Sequence, residues 1–139
     1  MLKNIPKIVS PELLKILCEM GHGDEIVIGD GNFPSESIGQ RVIRADGHGG
    51  EEILDAVLSL IPLDTYAMEN LLLMETTNGD PIPPIWDKYF TIAKKHDANL
   101  RAGTVERFAF YERAKKAYAV IATGEAQIYA NVIIKKGVI

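Results

Sequence analysis

A single three-layer α/β/α domain spanning residues 1–139, on a mixed sheet of about six strands, is the fold this sequence predicts. Three observations predict it. Short strand-like apolar runs alternate with amphipathic helical patterns along the whole chain. Hydrophobic residues make up 47% and charged residues 24% of the sequence, the balance of an ordinary globular protein. No repeat, low-complexity tract or convincing interior linker divides it, and a domain of this size buries ~68–70% of its unfolded surface without a metal or disulfide staple.

The elements follow in order. Ser10 and Pro11 read as an N-cap and first helical residue, and Leu13, Leu14, Leu17 and Met20 recur at helical spacing until Gly21 supplies a stop. Glu25 to Gly29 is a strand that delivers Asp30 to its C-terminal end, and Gln40 to Ala45 is a second strand after a loop from Asp30 to Gly39. Ile53, Leu54, Val57, Leu58 and Ile61 form an amphipathic helix that Pro62 ends. Leu71 to Met74 is a buried strand, and the stretch from Pro81 to Pro84 opens a helix carrying Trp86, Tyr89, Phe90 and Ala93. Thr104 to Phe108 extends as a fourth strand before a short helix with Phe110, Ala114 and Ala117 on one side. Tyr118 to Thr123 and Asn131 to Ile134 are the closing strands.

Charge and composition exclude several functions. A net charge of −4, with Lys94-Lys95, Lys115-Lys116 and Lys135-Lys136 scattered near element ends, argues against a nucleic-acid surface. No apolar run approaches the length of a membrane span, and the first residues lack a secretory pattern, so a cytoplasmic address is expected. Cys18, the only cysteine, is expected to be a small core residue of the first helix rather than a nucleophile.

The densest polar cluster is Gly21-His22-Gly23-Asp24, followed after one strand by Asp30-Gly31-Asn32-Phe33-Pro34. Flanking glycines leave the His22 imidazole uncrowded, and Asp30 falls at the strand end where α/β sheets bind ligands. Histidine both gives and takes protons near neutral pH, while a carboxylate can orient a hydroxyl. The same residues also suit a helix cap and two turns, and the pattern by itself leaves both readings open. His22, Asp24 and Asp30 lack the paired-ligand spacing of a metal site, and none is expected. Asp46-Gly47-His48-Gly49-Gly50 resembles a phosphate loop, but Glu51 and Glu52 would repel an anion at that helix start, so a glycine-rich turn with an exposed His48 is expected. His96 lies near a helix end and reads as structural. Arg107, Tyr129 and Asn131 combine an aromatic face with directional polar groups, a combination that suits a sugar, but on the residues alone Tyr129 reads first as an aromatic spacer and Arg107 as a surface cation.

Taken together, Ser10 to Leu14, Glu19 to Glu25, Phe33-Pro34, Arg44 to Gly47, Arg107 to Ala114, Thr123 to Glu125 and Tyr129 to Val138 resemble the ribose pyranase and fucose mutarotase (RbsD/FucU) family over nearly the whole chain and in order. The resemblance implies an isomerase in which His22 is the acid/base residue and Asp30, Arg107, Tyr129 and Asn131 contact a small monosaccharide, with the Tyr129-Ala130-Asn131 backbone also available. It implies no metal or cofactor and a homo-oligomer, a decamer, with sites near subunit interfaces. Arg107 to Ala114 looks like the fucose-type branch, which favours L-fucose, whereas ribose-type proteins tend to carry histidine where Arg107 stands. A ribose pyranase and a sugar-binding module without turnover are the alternatives.

Overall fold

The computed structural model describes residues 1–139. Its first element, α1 (Pro11–Glu19), starts where Ser10 Oγ accepts the Leu13 amide at 3.1 Å. There follow β1 (Glu25–Gly29), α2 (Ser35–Ile38), β2 (Val42–Ala45), α3 (Gly50–Leu58), β3 (Leu71–Met74), α4 (Ile85–His96), β4 (Ala102–Val105), α5 (Arg107–Lys116), β5 (Ala119–Thr123) and β6 (Val132–Lys135). The strands form one mixed sheet in the order β2-β5-β1-β6-β3-β4.

Alternation along the strands builds the three layers. Ile26, Ile28, Leu71, Leu73, Val132 and Ile134 face α1, α3 and α4 in a core of 23 residues. Val27, Leu72, Val120 and Ile133 turn the other way, against Phe33 and the Phe110, Ala114 and Ala117 side of α5, in a core of only nine. The thinner layer is the one that leaves room for a cavity.

Strand direction fixes what can meet. β6 runs antiparallel to β1 and β3, and every other neighbouring pair is parallel. The C-terminal ends of the first five strands therefore share one sheet edge with the start of β6. The segments that enter β1 and β3 and leave β6 share the opposite edge.

Four sequence expectations need correction. The loop from Asp30 to Gly39 contains the single turn α2, closed by Ile38 and Gly39 amides on the Pro34 and Ser35 carbonyls. α3 ends at Leu58, before Pro62, because Ser59 Oγ and the Leu60 amide fold back onto the Ala56 and Val57 carbonyls. The fourth strand lies at Ala102–Val105, and Arg107 and Phe108 form the first turn of α5, which the Glu106 carboxylate caps through the Ala109 amide at 3.0 Å. Cys18 is exposed: Leu13, Ile16, Leu17 and Met20 make the buried stripe of α1, and the next position after Leu17 turns off it.

Candidate functional site

At the shared edge the chain forms a cavity of about 250 Å³ lined by Asp30, Phe33, Thr77, Arg107, Tyr129 and Asn131 among others. That is below the ~300–1,000 Å³ of pockets for drug-sized ligands, and suits a single sugar ring. The lining side chains arrive from four strand ends. Asp30 follows β1, Thr77 follows β3, Arg107 follows β4, and Tyr129 and Asn131 precede β6.

Asp30 is the fixed point. It is 4% exposed, and its two oxygens accept the Asn32 amide at 2.9 Å and the Ala130 amide at 3.3 Å. Burial pushes its carboxyl above the usual range, only partly opposed by these amide donors. Its own amide donates to Asn131 Oδ1 at 2.8 Å, which fixes the orientation of that side chain and leaves Asn131 Nδ2 with only a long contact to Met74 Sδ at 3.9 Å. A free amide donor beside a buried carboxylate can bind hydroxyls in both senses.

Tyr129 has the unusual left-handed φ of 57°, a strained backbone for a residue with a side chain. The indole of Trp86 donates to its carbonyl at 2.8 Å. Its hydroxyl donates to Asp80 Oδ2 at 2.6 Å and accepts the Thr77 amide at 3.3 Å. Tyr89, fully buried, donates its hydroxyl to the Ala130 carbonyl at 2.9 Å. Burial, with the charges of Glu125, Asp30 and Glu51 nearby, raises the Tyr89 phenol far above its ordinary value, so it remains a donor. Both main-chain groups of Ala130 are thus engaged within the fold, one by Asp30 and one by Tyr89. Arg107 is exposed, donates to Tyr111 Oη at 3.2 Å and lies over the Phe108 and Tyr111 rings at 5.4 and 5.5 Å.

His22 is not in this cavity. It precedes β1 while Asp30 follows it, and a five-residue strand at roughly 3.3 Å per residue separates them by ~17 Å. The imidazole instead meets Asp64, with Nε2 2.8 Å from Oδ1, and the ring of Tyr66 at 5.1 Å between centroids. The same separation rules out a metal site shared by His22 and Asp30 within one chain, and no group of three metal-ligating side chains gathers anywhere.

The glycine-rich turn behaves as a structural element. Glu125 Oε2 accepts the Gly50 amide at 3.0 Å, so a carboxylate already occupies the start of α3. His48 is half-buried rather than exposed, 3.2 Å from Glu52, and His96 binds Asp55 at 2.7 Å. Sequence reasoning missed Thr77, Asp80, Trp86, Tyr89, Tyr111 and Asp64. Only the Pro81-to-Pro84 stretch, which opens the helix carrying Trp86 and Tyr89, gave a local signal for any of them.

The family model for the RbsD / FucU transport protein family matches residues 3–139. A fucose mutarotase of Danio rerio is 51% identical, the match covering 99% of this chain and 94% of the relative. FucU from Bifidobacterium longum is 58% identical with a TM-score of 0.95, and each chain is covered to 99%. A fucose mutarotase from Streptococcus pneumoniae, solved in complex with L-fucose, is 50% identical with a TM-score of 0.95 and the same coverage. With a match that runs from Lys3 to the last residue and takes in both sheet edges, the chain belongs to the RbsD / FucU family.

Proposed function

We infer that this protein is an L-fucose mutarotase, an isomerase that interconverts the α and β anomers of the free sugar. The observation that carries the reading is the sugar-sized cavity at the C-terminal sheet edge, in a fold that matches a fucose mutarotase solved with L-fucose at a TM-score of 0.95. Asp30 and Arg107 hold hydroxyls, Asn131 offers its free amide, Tyr129 supplies an aromatic wall, and Ala130 keeps Asp30 in place through its amide. His22 moves the protons. Opening the ring breaks the bond between the anomeric carbon and the ring oxygen. The anomeric hydroxyl loses a proton, the ring oxygen gains one, and closure on the other face reverses both transfers. No metal or redox cofactor enters this chemistry.

Because His22 and the cavity occupy opposite edges, the acid/base residue reaches the sugar from a neighbouring copy. We propose a homo-oligomer, a decamer, in which the His22 edge of one subunit closes the cavity of the next. Exposed apolar side chains at both edges fit this arrangement: Tyr66, whose ring meets His22, and Met68 two residues on, with Ile128 in the cavity lining and Phe108 beneath Arg107. A reduced, cytoplasmic setting suits the lone, exposed Cys18 thiol. No helix is long and apolar enough to cross a membrane.

The test is L-fucose anomer exchange by NMR saturation transfer, with D-ribose alongside, on the intact protein and His22→Ala. Fucose exchange should accelerate and fall ~10²–10⁴-fold in the variant, the range typical of a positioned acid/base group. Preferential action on ribose would make the protein a pyranase. Binding of fucose without faster exchange would make it a non-catalytic module.

A further inference from the structure

The loop from Leu63 to Asn70 presents one buried carboxylate to the proposed acid/base residue, and its geometry decides which imidazole nitrogen is free. Asp64 is 3% exposed although its loop lies at the surface. Its backbone is pinned on both sides, the amide donating to the Lys135 carbonyl at 3.0 Å and the carbonyl accepting Asn70 Nδ2 at 2.8 Å. Of the side-chain oxygens, Oδ2 accepts the Ala67 amide at 2.8 Å and Oδ1 lies 2.8 Å from His22 Nε2. Burial opposes ionisation of this carboxyl, but donors from Ala67, His22 and Tyr66 outweigh it and hold it below the usual carboxylate range.

An ionised carboxylate has no proton to give, so the short contact requires the proton on Nε2. We propose that Asp64 is a positioning residue that locks His22 as the Nε2–H tautomer and so makes Nδ1 the atom that exchanges protons with the sugar. The inference rests on the mutarotase reading. No hydrogen bond within the chain engages Nδ1, and the imidazole is 44% exposed, so that nitrogen is open to a ligand. In the ring-opening step Nδ1 takes the anomeric hydroxyl proton as the bond from the anomeric carbon to the ring oxygen breaks. The bonding pair goes to the ring oxygen, which then receives the proton from the same imidazolium. Asp64 steadies the transient cation through Nε2–H.

Ring-nitrogen correlation spectra of ¹⁵N-histidine-labelled protein, paired with fucose exchange kinetics on Asp64→Asn, test this. In the assembled wild-type protein His22 should be protonated on Nε2, and a proton found on Nδ1 of the neutral ring would overturn the proposal without any variant. In Asp64→Asn the amide can still accept the Ala67 amide while offering its NH₂ to Nε2, so the tautomer should switch to Nδ1–H. The maximal exchange rate per assembled protein should fall about tenfold or more, with the half-saturating fucose concentration little changed. A full rate in the variant would reduce Asp64 to a structural tie and sink the idea. If the wild-type protein fails to accelerate fucose exchange at all, the function is wrong, and the catalytic half of this proposal falls with it while the tautomer remains decided by the spectra.

Discussion

Tyr129 shows how single residues set the cavity. A side chain held at φ 57° costs roughly 1–2 kcal/mol, and the strain persists because the Trp86 indole, Asp80 and Thr77 fix the residue from three sides. Removing the hydroxyl in Tyr129→Phe leaves the Thr77 amide and Asp80 without this partner, a loss on the order of 1 kcal/mol per bond. The expected result is a lower Tm and a several-fold higher KM for fucose with a nearly unchanged kcat, read by calorimetry and exchange kinetics. An unchanged KM would show that the tyrosine ring alone forms the wall. Asp30 and Asn131 were legible as candidates because their residue types and strand-end positions carry a chemical meaning on their own. Asp80 and Asp64 were not, since their meaning comes entirely from partners 49 and 42 positions away in the chain.

At the scale of elements, α3 and α4 act together to hold the segment that enters β6. Gly50 begins α3 against the Tyr89 hydroxyl, and a Cβ there would collide with it. Gly50→Ala should therefore push α4 outward, break the Tyr89 bond to the Ala130 carbonyl and destabilise the fold by ~1–3 kcal/mol, the usual range for overpacking. Looser positioning of Ala130 and Asp30 should raise the KM for fucose in the same variant. Retention of wild-type Tm and KM would show that the two helices are not coupled to the site. Element positions were legible wherever periodicity was strong, as in α1, β3 and α4. They slipped where chemistry at a boundary overrode propensity. Glu106 is an uncommon N-cap, and by starting α5 at Arg107 it moves a cavity side chain from an expected strand onto a helical turn, where Tyr111 lies one turn on and can receive its guanidinium.

The whole molecule poses the question that neither a residue nor an element answers. Alternating strand and helix patterns implied the α/β layers, because apolar periodicity is a local property of the chain. That the cavity gathers at the Asp30 end of β1, away from His22, depends on strand direction, and spacing along β1 alone does not reveal it. If each site takes its cavity from one subunit and its His22 from the next, two variants that each fail alone should complement each other. His22→Ala retains a complete cavity, and Arg107→Ala, altered at an exposed position, retains the imidazole edge. After dissociation and random reassembly at equal amounts, half the subunits carry an intact cavity and half of their neighbours carry an intact His22. Fucose exchange should thus return to about a quarter of the wild-type rate. Mixtures kept from exchanging subunits serve as the baseline. Recovery above it, in step with hybrid formation seen by native mass spectrometry, is the signature of a shared site. Hybrids that form but stay at the baseline would require His22 to serve its own chain, which the opposite-edge placement forbids without rearrangement of β1, so that outcome would remove the basis for the assembled site altogether.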